Sequence, residues 1–175
     1  MKYAFRLSIA LILFTTSSIH ATDYYWVGGS GSWNDLSHWA TTSGGSVKHT
    51  TQPSSDDDVY FNASSFTAEG QTVTITFGAV CRSMDWTGVT NSPTISSFFD
   101  DLAVHGSLII PSTVQREFPA DVHFKATSGS FFIDLDNLPL HESVNENLFF
   151  DGGATWTLQD GLVLNGIVLT AGTLN

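Results

Sequence analysis

Short segments alternating apolar and polar residues recur along this chain at the interval expected of a solenoid coil, and that interval restricts the fold more than any other feature. One series of strand starts falls near Val59, Val80, Leu102, Val122, Leu148 and Val168. A second falls near Thr72, Thr94, Val114, Phe131 and Thr155. The clearest member is Thr72-Val73-Thr74-Ile75-Thr76-Phe77, β-branched almost throughout, with one apolar face and one threonine face. Gly, Asn, Asp, Ser and Pro separate nearly all the segments, and helical periodicity is absent beyond Ala21. Two interleaved ladders of that period predict a parallel β-helix, in which each coil lends short strands to the coils above and below. An antiparallel β-sandwich is the rival fold, because it too spaces its strands evenly. Residue pairs that recur at like places, such as Val104-His105 with Val122-His123 and Phe61-Asn62 with Phe150-Asp151, favour the solenoid.

The segment from Met1 to Ala21 reads as a secretory signal peptide. Lys2 and Arg6 form a positive start, Leu7 to Phe14 an apolar core, and Ile19-His20-Ala21 a small-residue cleavage site. The apolar run is shorter than the roughly 20 residues a membrane-spanning helix needs, so a secreted, extracellular or cell-surface location without membrane insertion is expected after cleavage. Cleavage after Ala21 removes two of six basic residues and none of seventeen acidic ones, moving the formal charge from −11 to −13. A phosphate backbone would be repelled, and no basic stripe offsets this, so nucleic acid is not an expected partner. Cys81 is the one cysteine, which leaves no intrachain disulfide and makes the core the source of stability.

Between the leader and the first regular strand, residues 22–58 read as an N-terminal cap coil, followed by solenoid coils over 59–175. The segment opens Tyr24-Tyr25-Trp26-Val27-Gly28-Gly29-Ser30-Gly31-Ser32-Trp33 and continues to Trp39 and Asp58-Val59-Tyr60-Phe61. Glycines supply tight turns and the tryptophans supply large apolar area, a combination suited to a lid. This opening, with Cys81-Arg82-Ser83-Met84-Asp85-Trp86-Thr87-Gly88, Gly106-Ser107-Leu108 and Thr155-Trp156-Thr157-Leu158-Gln159-Asp160, resembles large secreted β-helix proteins of bacterial surfaces. It is most similar to the gliding-associated and adhesin-like proteins of the Bacteroidota. The resemblance implies an all-β, right-handed parallel β-helix with an N-terminal aromatic cap, export by the type IX secretion route, and a display or adhesive role. The sorting domain that ends long members of that family has no counterpart before Asn175, so the solenoid reads as C-terminally incomplete. Its open edge invites self-association or pairing with another chain.

Several groups are candidates for chemistry. Trp26, Trp33 and Trp39 could offer a platform to the rings of a surface glycan, or could be the buried core of the cap. Asp56, Asp57 and Asp58 could supply oxygen ligands to calcium, although consecutive side chains on an extended backbone cannot all face one ion. Asp134 and Asp136 have the spacing of paired acids in a groove, as a β-helix polysaccharide-active enzyme would need. His105 and His123 could share a metal across adjacent coils, but no third ligand is apparent. Cys81 reads as a buried small apolar residue, and no cofactor is expected. The leading expectation is therefore a non-enzymatic segment of an adhesin or display protein, with an unidentified glycan or protein as partner. A carbohydrate-binding module and the polysaccharide-active enzyme are the alternatives. Val73, Ile75, Val104, Phe124, Phe150 and Leu164 are the expected inward residues.

Overall fold

A computed structural model describes residues 21–140, 147–163 and 166–175. The leader assigned to 1–21 lies outside these residues except for Ala21, and so does Leu164. The described chain is all-β: β1 (Asp23–Trp26) and β2 (Gly31–Ser32) come first, then a single 3-10 turn (Leu36–His38). The Asp35 carboxylate caps that turn by accepting the Ser37 N–H at 2.9 Å. Next come β3 (Trp39–Ala40), β4 (Asp58–Tyr60), β5 (Thr72–Ile75), β6 (Val80–Cys81) and β7 (Met84–Asp85). They are followed by β8 (Thr94–Ser97), β9 (Leu102–Val104), β10 (Leu108–Ile109), β11 (Gln115–Glu117) and β12 (Val122–Phe124). The last are β13 (Ser130–Asp134), β14 (Asn147–Phe150), β15 (Thr155–Leu158), β16 (Gly166–Leu169) and β17 (Thr173–Leu174).

These strands form three sheets that the chain visits in turn. Sheet A runs β17-β15-β13-β10-β7-β4-β1-β3, sheet B runs β11-β8-β5-β2, and sheet C runs β16-β14-β12-β9-β6. From β4 to β12 the order of visits is A, B, C, repeated level after level. Every strand pairing among the described residues is parallel except β1 with β3 and the isolated bridge of Ala40 with Lys48. An antiparallel sandwich is thereby ruled out. The antiparallel β3 covers the outer edge of β1, a common way to block an exposed sheet edge.

Two of the alternating segments, those that start at Val80 and Leu102, are each split by a corner. Val80 to Trp86 becomes β6 and β7, because Cys81 and Met84 are both fully buried and only a bend at Arg82-Ser83 can turn both inward. Leu102 to Ile110 likewise becomes β9 and β10. Its corner sits tightly on the one before: a Cβ on Gly106 would lie 2.5 Å from Ser83 Oγ and 3.0 Å from Arg82 O. The outcome is three ladders instead of two.

Register fixes which side chains stack. On sheet A, Val59, Met84, Leu108, Ile133 and Leu158 are aligned, at an almost constant separation along the chain. On sheet C the column is Cys81, Val104, Phe124 and Phe150, all fully buried, and it ends at Leu169, which is 51% exposed. Between Phe124 and Phe150 the rings stack at 4.9 Å, and Trp156 meets the edge of Phe150 at 5.5 Å. On sheet B, Gly31, Val73 and Ile95 lead to Arg116, where the inward column turns polar. The Arg116 guanidinium donates to the carbonyls of Leu138 at 2.9 Å, of Pro139 at 3.4 Å and of Ile110. Among the described residues sheet B has no strand beyond β11.

Candidate functional site

The early tryptophans do not form a sugar platform. Trp26 and Trp39 are wholly buried and Trp33 is 1% exposed, so no ring face is open to a ligand. Instead they pack edge to face, with Trp39 at 4.9 Å from both Trp26 and Trp33. The indole N–H groups of Trp26 and Trp39 are spent on the carbonyls of Gly29 and Trp33, both at 2.7 Å. The glycines leave room for this: Gly28 and Gly29, at φ of 86° and 83°, turn the chain back over the Trp26 ring.

Nor do the three consecutive aspartates converge on a cation. Asp56 is exposed, while Asp57 and Asp58 are buried and already engaged. Asp57 accepts the backbone N–H groups of Thr22 and Ser54 and the Ser54 hydroxyl. Asp58 takes Arg82 Nε at 2.7 Å, a second bond from Arg82 Nη2, and the Ser83 N–H at 3.1 Å. The alternation of a strand sends neighbouring carboxylates to opposite sides, and here each has found a structural partner. Among the described residues no three His, Cys, Asp or Glu side chains are placed to hold a metal.

His105 and His123 do not come together across adjacent levels either. In register His123 faces Ala103, which leaves His105 two positions along the strand. His123 instead bridges two carboxylates, with Nδ1 at 2.8 Å from Asp151 and Nε2 at 3.6 Å from Asp101, and it stacks on Phe149 at 4.7 Å. Burial raises the Cys81 thiol pKa far above its ordinary value, so it cannot serve as a nucleophile near neutral pH.

What the structure does assemble is an open groove of about 410 Å³ lined by Thr87, Gly88, Val89, Ile109, Pro111, Thr113, Asp134 and Asp136. Its wall begins on the outward side of sheet A, where Asp85, Ile109 and Asp134 are in register on β7, β10 and β13. The turns after these strands supply the rest. Asp134 Oδ1 accepts the Asp136 N–H at 3.2 Å, just as Asp85 Oδ1 accepts the Thr87 N–H at 2.7 Å two levels earlier. Asp136, at φ of 55°, receives the Ser112 N–H at 2.9 Å; hydrogen bonding from the Ser112 side chain, and then from this N–H, holds its carboxyl below the usual carboxylate range.

Two carboxylates, two threonine hydroxyls and an apolar floor can accept hydrogen bonds from a hydroxylated ligand or balance a cationic one. Asp136 does not have the character of the general acid in a glycoside-cleaving pair. A general acid needs a raised pKa, and Asp136 is shifted the other way. The sequence points to Asp134 and Asp136 and misses Thr87, Val89, Ile109, Pro111 and Thr113. Those residues lie one or two levels earlier, and the correct register of the sheet A ladder is the signal that unites them.

No protein family, curated protein or solved structure matches the chain.

Proposed function

We propose that this chain is an exported, non-enzymatic β-solenoid segment of a cell-surface adhesin or display protein, wound as a right-handed parallel β-helix beneath its aromatic lid. The observation that carries the reading is the sheet A ladder of Val59, Met84, Leu108, Ile133 and Leu158, aligned through parallel strands at an almost constant interval. A stack of that regularity is suited to act as a stiff spacer that holds polar faces away from a cell, and its contribution is geometric. The acidic surface suits a protein that must stay dispersed outside the cell. Export is tested by expressing the full chain in a Gram-negative host: a mature protein beginning at Thr22 outside the cytoplasm is expected. Retention inside with Met1 intact would overturn it.

The groove beside Asp134 supports a second reading, a carbohydrate-binding module. Titrating neutral oligosaccharides against isotope-labelled protein should shift the Thr87, Ile109 and Asp134 amides, and Asp134→Asn should abolish those shifts. Reducing ends released during incubation would point to the polysaccharide-active enzyme instead.

A further inference from the structure

Three phenylalanines stand almost fully in solvent at the corner between sheets B and C: Phe77 is 90% exposed, Phe98 82% and Phe99 79%. Phe77 follows β5, while Phe98 and Phe99 follow β8, and β5 pairs directly with β8. The two corners therefore lie on adjacent levels. A soluble chain rarely exposes such rings close together unless they meet something.

The register explains how the second corner comes to protrude. Thr74, Ser96 and Glu117 are aligned on sheet B, and Val80, Ala103 and His123 follow on sheet C. From Thr74 to Val80 is six residues, from Ser96 to Ala103 seven, and from Glu117 to His123 six again. The middle connection carries one residue more than its neighbours, and that residue must bulge outward. The bulge is clamped: Ser97 Oγ donates to Asp100 O and accepts the Asp100 N–H, both at 2.8 Å. It also puts Phe99 at φ of 73°, a conformation that glycine or asparagine adopts cheaply and a bulky aromatic does not. A corner that spends backbone strain to hold an aromatic ring in water is shaped for contact and not for stability.

We propose that Phe77, Phe98 and Phe99 form a preorganised docking patch for a protein partner whose contact surface is apolar at its centre and basic at its rim. Charge decides for that occupant. Asp100 and Asp101 directly follow the two rings, and Asp121 lies beside Asp101, its N–H bonded to Asp101 Oδ1 at 3.2 Å. Neither arginine among the described residues offsets these acids, since Arg82 is paired with Asp58 and Arg116 is tied to backbone carbonyls; His123, with Nε2 at 3.6 Å from Asp101, meets one of them and leaves the rim acidic. A second copy of the chain would bring the same negative rim, an anionic membrane would be repelled, and a neutral glycan would draw nothing from the charge of the rim.

The test uses the whole protein and a short labelled peptide alternating leucine and lysine, with the leucine–glutamate peptide as control, read by fluorescence anisotropy. Wild type should bind the basic peptide, lose affinity as salt rises, and ignore the acidic one. The triple variant Phe77→Ser/Phe98→Ser/Phe99→Gly should bind at least about tenfold more weakly. Phe99→Gly alone should weaken binding while raising the melting temperature, because it relieves the positive φ; a ring serving only structure would lower it. Failure of wild type to bind, equal binding by the triple variant, or equal binding of the acidic peptide overturns the proposal. So does dimerisation of wild type that the triple variant abolishes, or loss in that variant of affinity for a neutral glycan.

Discussion

Phe124→Ala is the sharpest probe of the stacked interior. The ring is wholly buried on sheet C, with Phe150 stacked on it at 4.9 Å and Trp156 at 5.8 Å. Truncating a buried aromatic of this size costs about 3–5 kcal/mol. We expect about 4 kcal/mol, clear of the lower end of that range, because the walls cannot close on the vacancy. The levels above and below are held by backbone bonds such as Lys125 N–H to Val104 O at 2.8 Å and Asp151 N–H to Phe124 O at 2.9 Å. That corresponds to a fall of about 8–16 °C in melting temperature for a chain of this size. Phe149→Ala supplies the comparison: its side chain lies on the outward side of the same sheet, against His123, and should cost less than about 1.5 kcal/mol. Urea unfolding followed by tryptophan fluorescence measures both. Equal small losses for the two variants would refute a continuous packed column.

Three further outcomes are expected. Gly152→Ala would place its Cβ 2.0 Å from Ala126 O, a backbone atom tied to Ala154 N–H at 3.1 Å, so roughly 3 kcal/mol should be lost in the same unfolding measurement. Trp33→Ala should speed amide exchange in β1 to β3 while β12 to β14 keep their protection, because opening is local in a layered structure. His105 has its pKa lowered from 6.5, first by burial and then by Lys125, with Asp56 opposing. Its share of stability is therefore complete above 6.5 and declines as pH falls through the depressed folded value. His105→Gln should flatten the stability–pH curve in that window.

Much of the architecture is legible because the strongest strands carry their own alternation. The starts near Val80, Leu102, Val122 and Leu148 mark sheet C, and Thr72 and Thr94 mark sheet B. By spacing alone Val59 falls in the first series yet belongs to sheet A, while Phe131 and Thr155 fall in the second and also lie in sheet A. The third ladder is hidden because Met84–Asp85 and Leu108–Ile109 are each two residues long, too short to display a period. Burial separates the aromatics in a way composition cannot. Tryptophans set among glycines go inside, whereas Phe77, which reads as a strand end, and Phe98 sit on corners where alternation no longer applies. Asp58 reads as a member of an acidic run because its partner Arg82 is far along the sequence and becomes a neighbour only when β4 meets β7 through the corner.

Among the described residues β11 is the last strand of sheet B, and beyond it the strand ladders are those of sheets A and C, with the Arg116 guanidinium and the Phe118 N–H reaching on to the carbonyls of Leu138 and Leu140. Tension applied between the two ends should therefore meet unequal resistance. The later turns of chain, with two strand seams to tear among the described residues, should peel away at low force, and the earlier ones, with three, should yield afterwards. An extension trace from a single tethered molecule would then be stepped, and the guanidinium of Arg116 would mark where weak gives way to strong.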